Sequence, residues 1–186
     1  DSEVIVAPSG SCLSMVAHQY GELFSCKLDA NDIYDMEAEN LKREWESLRS
    51  RIFELSSFLV DYLDIIDVGA FFPHTVSYHA SCHALRELKI MEKPLKLLHA
   101  VDGLELIEGD WEDECCGFGG VFSIKYKELS HSISDRRADA LSSGGAEFIT
   151  GVDDSCLNNL NQAFRRNKMP QRTLHIARIL ALKNVN

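Results

Sequence analysis

One pattern occurs twice in this chain, 144 residues apart: an apolar run, a small polar turn, then Ser-Cys-Leu opening a helical stretch. The first copy runs from Val4 through Pro8-Ser9-Gly10-Ser11 to Cys12-Leu13, and the second from Phe148 through Asp153-Asp154-Ser155 to Cys156-Leu157. Short apolar runs are consistent with buried parallel strands. Met15, Val16, Tyr20 and Leu23 in one copy, and Leu157, Leu160 and Phe164 in the other, follow helical spacing. Each cysteine therefore falls at a strand-to-helix junction, where free N–H groups and the positive helix end favour thiolate. A small cysteine fitting a tight turn is the plainer explanation, and the repetition weighs against it.

Between the copies the chain reads as alternating helices and strands. Asn40 to Asp64 gives one long amphipathic helix through Trp45, Leu48, Ile52, Leu55, Leu59 and Leu63. Thr75 to His79 is a strand entering Ala80-Ser81-Cys82-His83. Ala84 to Val101 reads as helix, with Pro94 marking a break or a second start. Strands follow at Leu104–Glu108, Phe148–Val152 and Arg172–Leu174, with a helix over Lys125–Ser142 ended by Gly144-Gly145 and another at the C-terminus. The fold class expected is α/β: parallel sheets with flanking helices, in two Rossmann-like pseudo-repeats. Residues 1–70 form the tail of the first, read as N-terminally truncated because Ser2 to Ala7 is already a buried strand, and residues 71–186 form a complete second.

The second constraint is the vicinal pair in Glu114-Cys115-Cys116-Gly117-Phe118-Gly119-Gly120. Adjacent cysteines close only a strained disulfide ring, whereas two neighbouring thiolates can serve one metal centre. Gly117, Gly119 and Gly120 allow close backbone approach and N–H donation to sulfur. Cys82, Cys115, Cys116 and Cys156 all follow expected strands, so one sheet edge can gather them. Six cysteines in 186 residues, unevenly spaced, do not make a secreted disulfide scaffold and favour reduced thiols. A net charge of −10 argues against nucleic acid as a partner. No stretch reads as a signal peptide or a membrane span, so the expected location is the cytoplasm.

The order lone Cys82, then Cys115-Cys116-Gly117, then Cys156 resembles the cysteine-rich CCG domain. That domain occurs in heterodisulfide reductases and in the iron–sulfur subunits of glycolate oxidase and anaerobic glycerol-3-phosphate dehydrogenase. Further segments look like the lactate-utilisation branch of that family: Pro8-Ser9-Gly10-Ser11-Cys12, His79-Ala80-Ser81-Cys82-His83 with Arg86, the Cys-Cys-Gly loop followed by Phe122 and Lys125, and His175-Ile176-Ala177. The resemblance implies a [4Fe–4S]-type cluster held by Cys82, Cys115, Cys116 and Cys156, in an electron-transfer subunit of an L-lactate-oxidising complex with separate iron–sulfur and accessory subunits. It makes Cys12 the closing cysteine of a first motif. The family's closing Cys-x-x-Cys reads Asp153-Asp154-Ser155-Cys156 here, which leaves Asp153 as either a hard ligand or a helix N-cap. His83, Gly117, Gly119, Gly120, Arg86 and Lys125 are expected around the ligands, His83 as a hydrogen-bond partner of a sulfur. His175 is expected on the apolar face of the last helix, Cys26 as a free thiol, and the run Glu108, Asp110, Glu112, Asp113, Glu114 as a solvated loop or a docking surface for a basic partner. Two alternatives stay open: thiol/disulfide chemistry like that of heterodisulfide reductase, and a structural zinc site in an interaction protein. No dinucleotide-binding glycine fingerprint is present.

Overall fold

The computed structural model describes residues 3–23, 36–107 and 114–184. Cys26 and the acidic residues Glu108 to Asp113 lie outside these. β1 (Ile5–Ala7) leads into α1 (Gly10–Ser14), which runs on through a π-helical stretch, Met15–Gln19, into α2 (Tyr20–Leu23). Then come α3 (Met36–Arg49), β2 (Ile52–Glu54), α4 (Leu55–Ser57) with a π-helical extension Phe58–Tyr62, and β3 (Thr75–Tyr78). A π-helical turn at His83–Glu87 precedes α5 (Glu92–His99), β4 (Glu105–Leu106), α6 (Val121–Lys125), α7 (Lys127–Ser142), β5 (Phe148–Gly151), α8 (Asp154–Arg166), β6 (Arg172–His175) and α9 (Ile176–Ala181).

Every strand pairing is parallel: β1 with β2, and a four-stranded sheet in the order β4-β3-β5-β6. Alternation along the strands dictates the layers, because successive side chains point to opposite faces. Val76 and Tyr78 join a core with Leu97, Leu98, Ile176 and Ile179. Ile149 faces the other way, into Cys116, Ala138, Leu141, Leu160 and Phe164. Helices thus cover both faces, as an all-parallel sheet requires.

Three expectations are corrected. The long helix over Asn40–Asp64 is instead α3, β2 and α4: its apolar spacing suits a helix throughout, but Ile52, Phe53 and Glu54 pair with Ile5, Val6 and Ala7. The partnerless backbone of β1 outweighs local periodicity, since its N–H and C=O groups need a ladder. The helix expected over Ala84–Val101 splits at Lys89, whose φ is +54°, and Pro94 lies in the first turn of α5, where its missing N–H costs nothing. β1 is half-buried rather than buried, with Ile5 39% exposed.

Candidate metal centre

The C-terminal end of β3 delivers Cys82, and the N-terminal end of α8 delivers Cys156. The loop before α6 carries Cys115 and Cys116 into the space between them. Neighbouring thiols shift one another's ionisation along the series Cys82, Cys115, Cys116 and Cys156. Hydrogen bonds from Cys116 and then Cys82, with the Gly117 N–H 3.3 Å from its Sγ, pull the Cys115 thiol well below the ordinary range. Cys82 and Cys116 are pushed up, chiefly because each donates to Cys115. A bound metal would take the place of the protons on these sulfurs.

The loop conformation depends on glycine at one point above all. Gly117 has φ +80°, and a Cβ there would lie 2.6 Å from the Ser130 carbonyl oxygen. Ser130 Oγ donates to the Gly117 carbonyl at 2.7 Å, and Asn159 Nδ2 to the Cys116 carbonyl at 2.8 Å. α7 and α8 therefore clamp the vicinal pair from both sides.

Two buried groups beside the sulfurs were not singled out as site residues from the sequence. A ring nitrogen of His79 and the Sγ atoms of Cys116 and Cys156 lie within 4.8 Å of one another. Arg137, 1% exposed on α7, places Nε 3.4 Å from His79 Nδ1. A guanidinium can only donate, so Nδ1 accepts and the ring proton sits on Nε2. Burial first, then the Arg137 charge, holds the His79 pKa down at about 3. His79 Nε2 has no hydrogen-bond partner among the described residues. The donor set fits an anionic metal–sulfur group: four sulfurs, a backbone N–H on one of them, an unsatisfied imidazole N–H and a buried cation. Periodicity could have exposed Arg137, which shares the buried register of α7 with Ser130, Ser134, Ala138 and Leu141.

The remaining candidates are placed as follows. His83 Nδ1 lies 3.5 Å from Cys82 Sγ. Gly119 (φ +52°) and Gly120 (φ +57°) take left-handed conformations in the turn into α6. Arg86 and Lys125 are exposed. Cys12 is exposed on α1. Glu114 pairs with Arg136 at 3.0 Å. His175 is not on a helix face; it is the N-cap of α9, with Nδ1 accepting from the Ala177 N–H at 3.1 Å. Asp153 occupies the N-cap position of α8 but makes no side-chain cap bond. Its carboxylate accepts instead from Ser9, Ser11 and Ser81.

Residues 76–161, which contain all four cysteines of the nest, match the cysteine-rich domain (CCG) family. Over nearly the whole chain the similarity is to proteins named lactate utilization protein A. The Exiguobacterium protein is 39% identical over 180 residues, covering 97% of this chain and 69% of the relative. The chain belongs to the lactate utilization protein A family. Lactate utilization protein A 1 of Bacillus mycoides is 39% identical over 179 residues (96% of this chain, 69% of the relative), and the Geobacillus kaustophilus protein 35% over 184 (99% and 72%). In this member the cysteine-rich segment is the part that assembles the nest, and the β1–β2 unit packs against it through α1.

Proposed function

We propose that this chain is an iron–sulfur electron-transfer protein of L-lactate oxidation, with a [4Fe–4S]-type cluster held by Cys82, Cys115, Cys116 and Cys156. The observation that carries the reading is the buried Arg137 and His79 pair against four convergent sulfurs. Any centre with four thiolate ligands is anionic and suits a buried cation, and the Gly117 N–H and the unsatisfied His79 N–H suit the sulfurs of an iron–sulfur cluster, whose potential responds to nearby charge and N–H donors. When bound, such a cluster supplies reversible one-electron transfer. The protein's part is to bury Cys116 and Cys156 among Leu160 and Phe164, to present the Gly117 N–H to Cys115, and to keep His79 neutral through Arg137. The relatives' name supports lactate as the electron source. Separate iron–sulfur and accessory proteins would then be the partners, and the cytoplasm the setting. No helix among the described residues is long and apolar enough to cross a membrane.

The test is iron, zinc and acid-labile sulfide content, with a visible spectrum, on protein purified without oxygen. Near-equal iron and sulfide, with absorption that bleaches on reduction and disappears in Cys115→Ser, is the expected result. Stoichiometric zinc without sulfide would overturn it in favour of a structural site, which the His79, Cys116 and Cys156 grouping could also form.

A further inference from the structure

Four cysteines in this chain follow a serine directly: Ser11-Cys12, Ser25-Cys26, Ser81-Cys82 and Ser155-Cys156, the second lying outside the described residues. Two of those serines meet on one carboxylate. Asp153 Oδ1 accepts from Ser11 Oγ at 2.6 Å, the Ser11 N–H at 2.9 Å and Ser9 Oγ at 3.1 Å, while Oδ2 accepts from Ser81 Oγ at 2.6 Å. The group is 1% exposed. Four donors on one buried carboxylate are charge-assisted bonds, strong and directional. Gly10 permits the approach: a Cβ there would lie 3.0 Å from Oδ2.

We propose that Asp153 is the positioning residue of the metal centre, holding Cys82 through Ser81 and Cys12 through Ser11 while its own backbone sets the start of the helix carrying Cys156. It acts without ligating. An N-cap aspartate would ordinarily accept from its own helix, and this one leaves α8 uncapped to bind two other segments. The residue that departs from the family's closing Cys-x-x-Cys thus links the two halves of the chain through the residues beside their cysteines. The consequence for metal binding rests on the metal-centre reading; the positioning of Cys12 does not.

The experiment uses the full reduced chain with Co²⁺ as probe, its affinity measured against a competing chelator, and the alkylation rate of exposed Cys12 followed by mass spectrometry. Asp153→Asn should weaken Co²⁺ binding by roughly 10–100-fold, the usual cost of losing support for a ligand, and should also speed Cys12 alkylation. Ser81→Ala should weaken Co²⁺ and leave Cys12 unchanged; Ser11→Ala should do the reverse; Asp154→Asn, on the exposed neighbour, should do neither. Wild-type cobalt affinity in both Asp153→Asn and Ser81→Ala would overturn the proposal. If wild type binds no more Co²⁺ than Cys115→Ser, the metal reading fails. The Cys12 rates of Asp153→Asn and Ser11→Ala then decide alone, unchanged rates overturning the positioning role.

Discussion

The two copies of the strand–turn–helix unit share their geometry and differ in what they hold. Register makes the correspondence explicit: Ala7 pairs with Glu54 as Gly151 pairs with His175, and Glu54 and His175 each cap the short helix that follows. Ser9 corresponds to Asp153 and Cys12 to Cys156. Ser9 caps its own helix, accepting from the Cys12 N–H at 3.3 Å, and Asp153 does not. Cys156 is buried in a four-sulfur nest, while Cys12 is exposed. A strand-to-helix junction therefore presents a cysteine, but does not make a site. The site needs β3, the glycine loop and the buried arginine of α7, which among the described residues accompany the second copy alone.

The largest contrast should come from adding one methyl group to each half. Gly117→Ala forces a left-handed residue to carry a Cβ and drives that Cβ against the Ser130 backbone carbonyl, 2.6 Å away. A cost of about 2–4 kcal/mol is expected, from strain and steric overlap together. Gly10→Ala meets the Asp153 carboxylate at 3.0 Å and Ala84 Cβ at 3.2 Å, so the held carboxylate must shift by a few tenths of an ångström, a smaller displacement than the backbone overlap at Gly117 demands. Helix propensity returns roughly 0.5–1 kcal/mol against that displacement, so its net loss should be clearly smaller than that of Gly117→Ala. Thermal unfolding of both variants checks this. Equal losses would mean that the glycine loop is no more tightly specified than the first copy's turn.

Arg137→Met sharpens the comparison at the level of charge. Methionine fills much of the same volume and removes the cation. A bound anionic cluster should lose about 1–2 kcal/mol of stabilisation in its more negative, reduced form, for an effective dielectric of ~20 and a separation on the order of 10 Å. The expected outcome is a lower reduction potential, by redox titration, with iron content retained. An unchanged potential would reduce Arg137 to a packing role.

Much of this was legible in the sequence because covalent constraints and repetition do not depend on context. The doubled strand–turn–Ser-Cys-Leu unit pointed to parallel α/β structure, which the sheets show, and the Cys-Cys-Gly loop pointed to a metal centre; of its expected ligands Cys116 and Cys156 lie together beside His79. What escaped depended on tertiary pairing. β2 was hidden inside a helical apolar period because its strand character comes from β1, nearly 50 residues earlier. His79 and Arg137 look like an ordinary histidine and a helix-surface arginine until packing encloses both. Asp153 was read by its local options, ligand or cap, whereas its partners at Ser9 and Ser11 lie 144 and 142 residues away.

The smallest expected effect tests the other matched pair, Glu54 and His175. Burial pushes the Glu54 pKa up, against hydrogen bonds from Ser56 and Ser57 that pull it down. Oε2 accepts from the Ser56 and Ser57 N–H groups at 2.7 and 3.4 Å, while Oε1 has no hydrogen-bond partner among the described residues. A folded-state pKa above the unfolded one means that folding favours the proton. Stability from this group is complete below the unfolded value, near 4.5, and is lost as pH rises through the folded value. Glu54→Gln keeps an oxygen to cap α4 and abolishes that loss. Its stability relative to wild type should therefore increase from acid to neutral pH, read as a difference in melting temperature at each pH. A constant difference would show that Glu54 ionises as freely in the fold as out of it. The first copy's cap would then be as indifferent to pH as a neutral side chain, and the buried seam between the halves would owe its polarity to Asp153 and its serines rather than to Glu54.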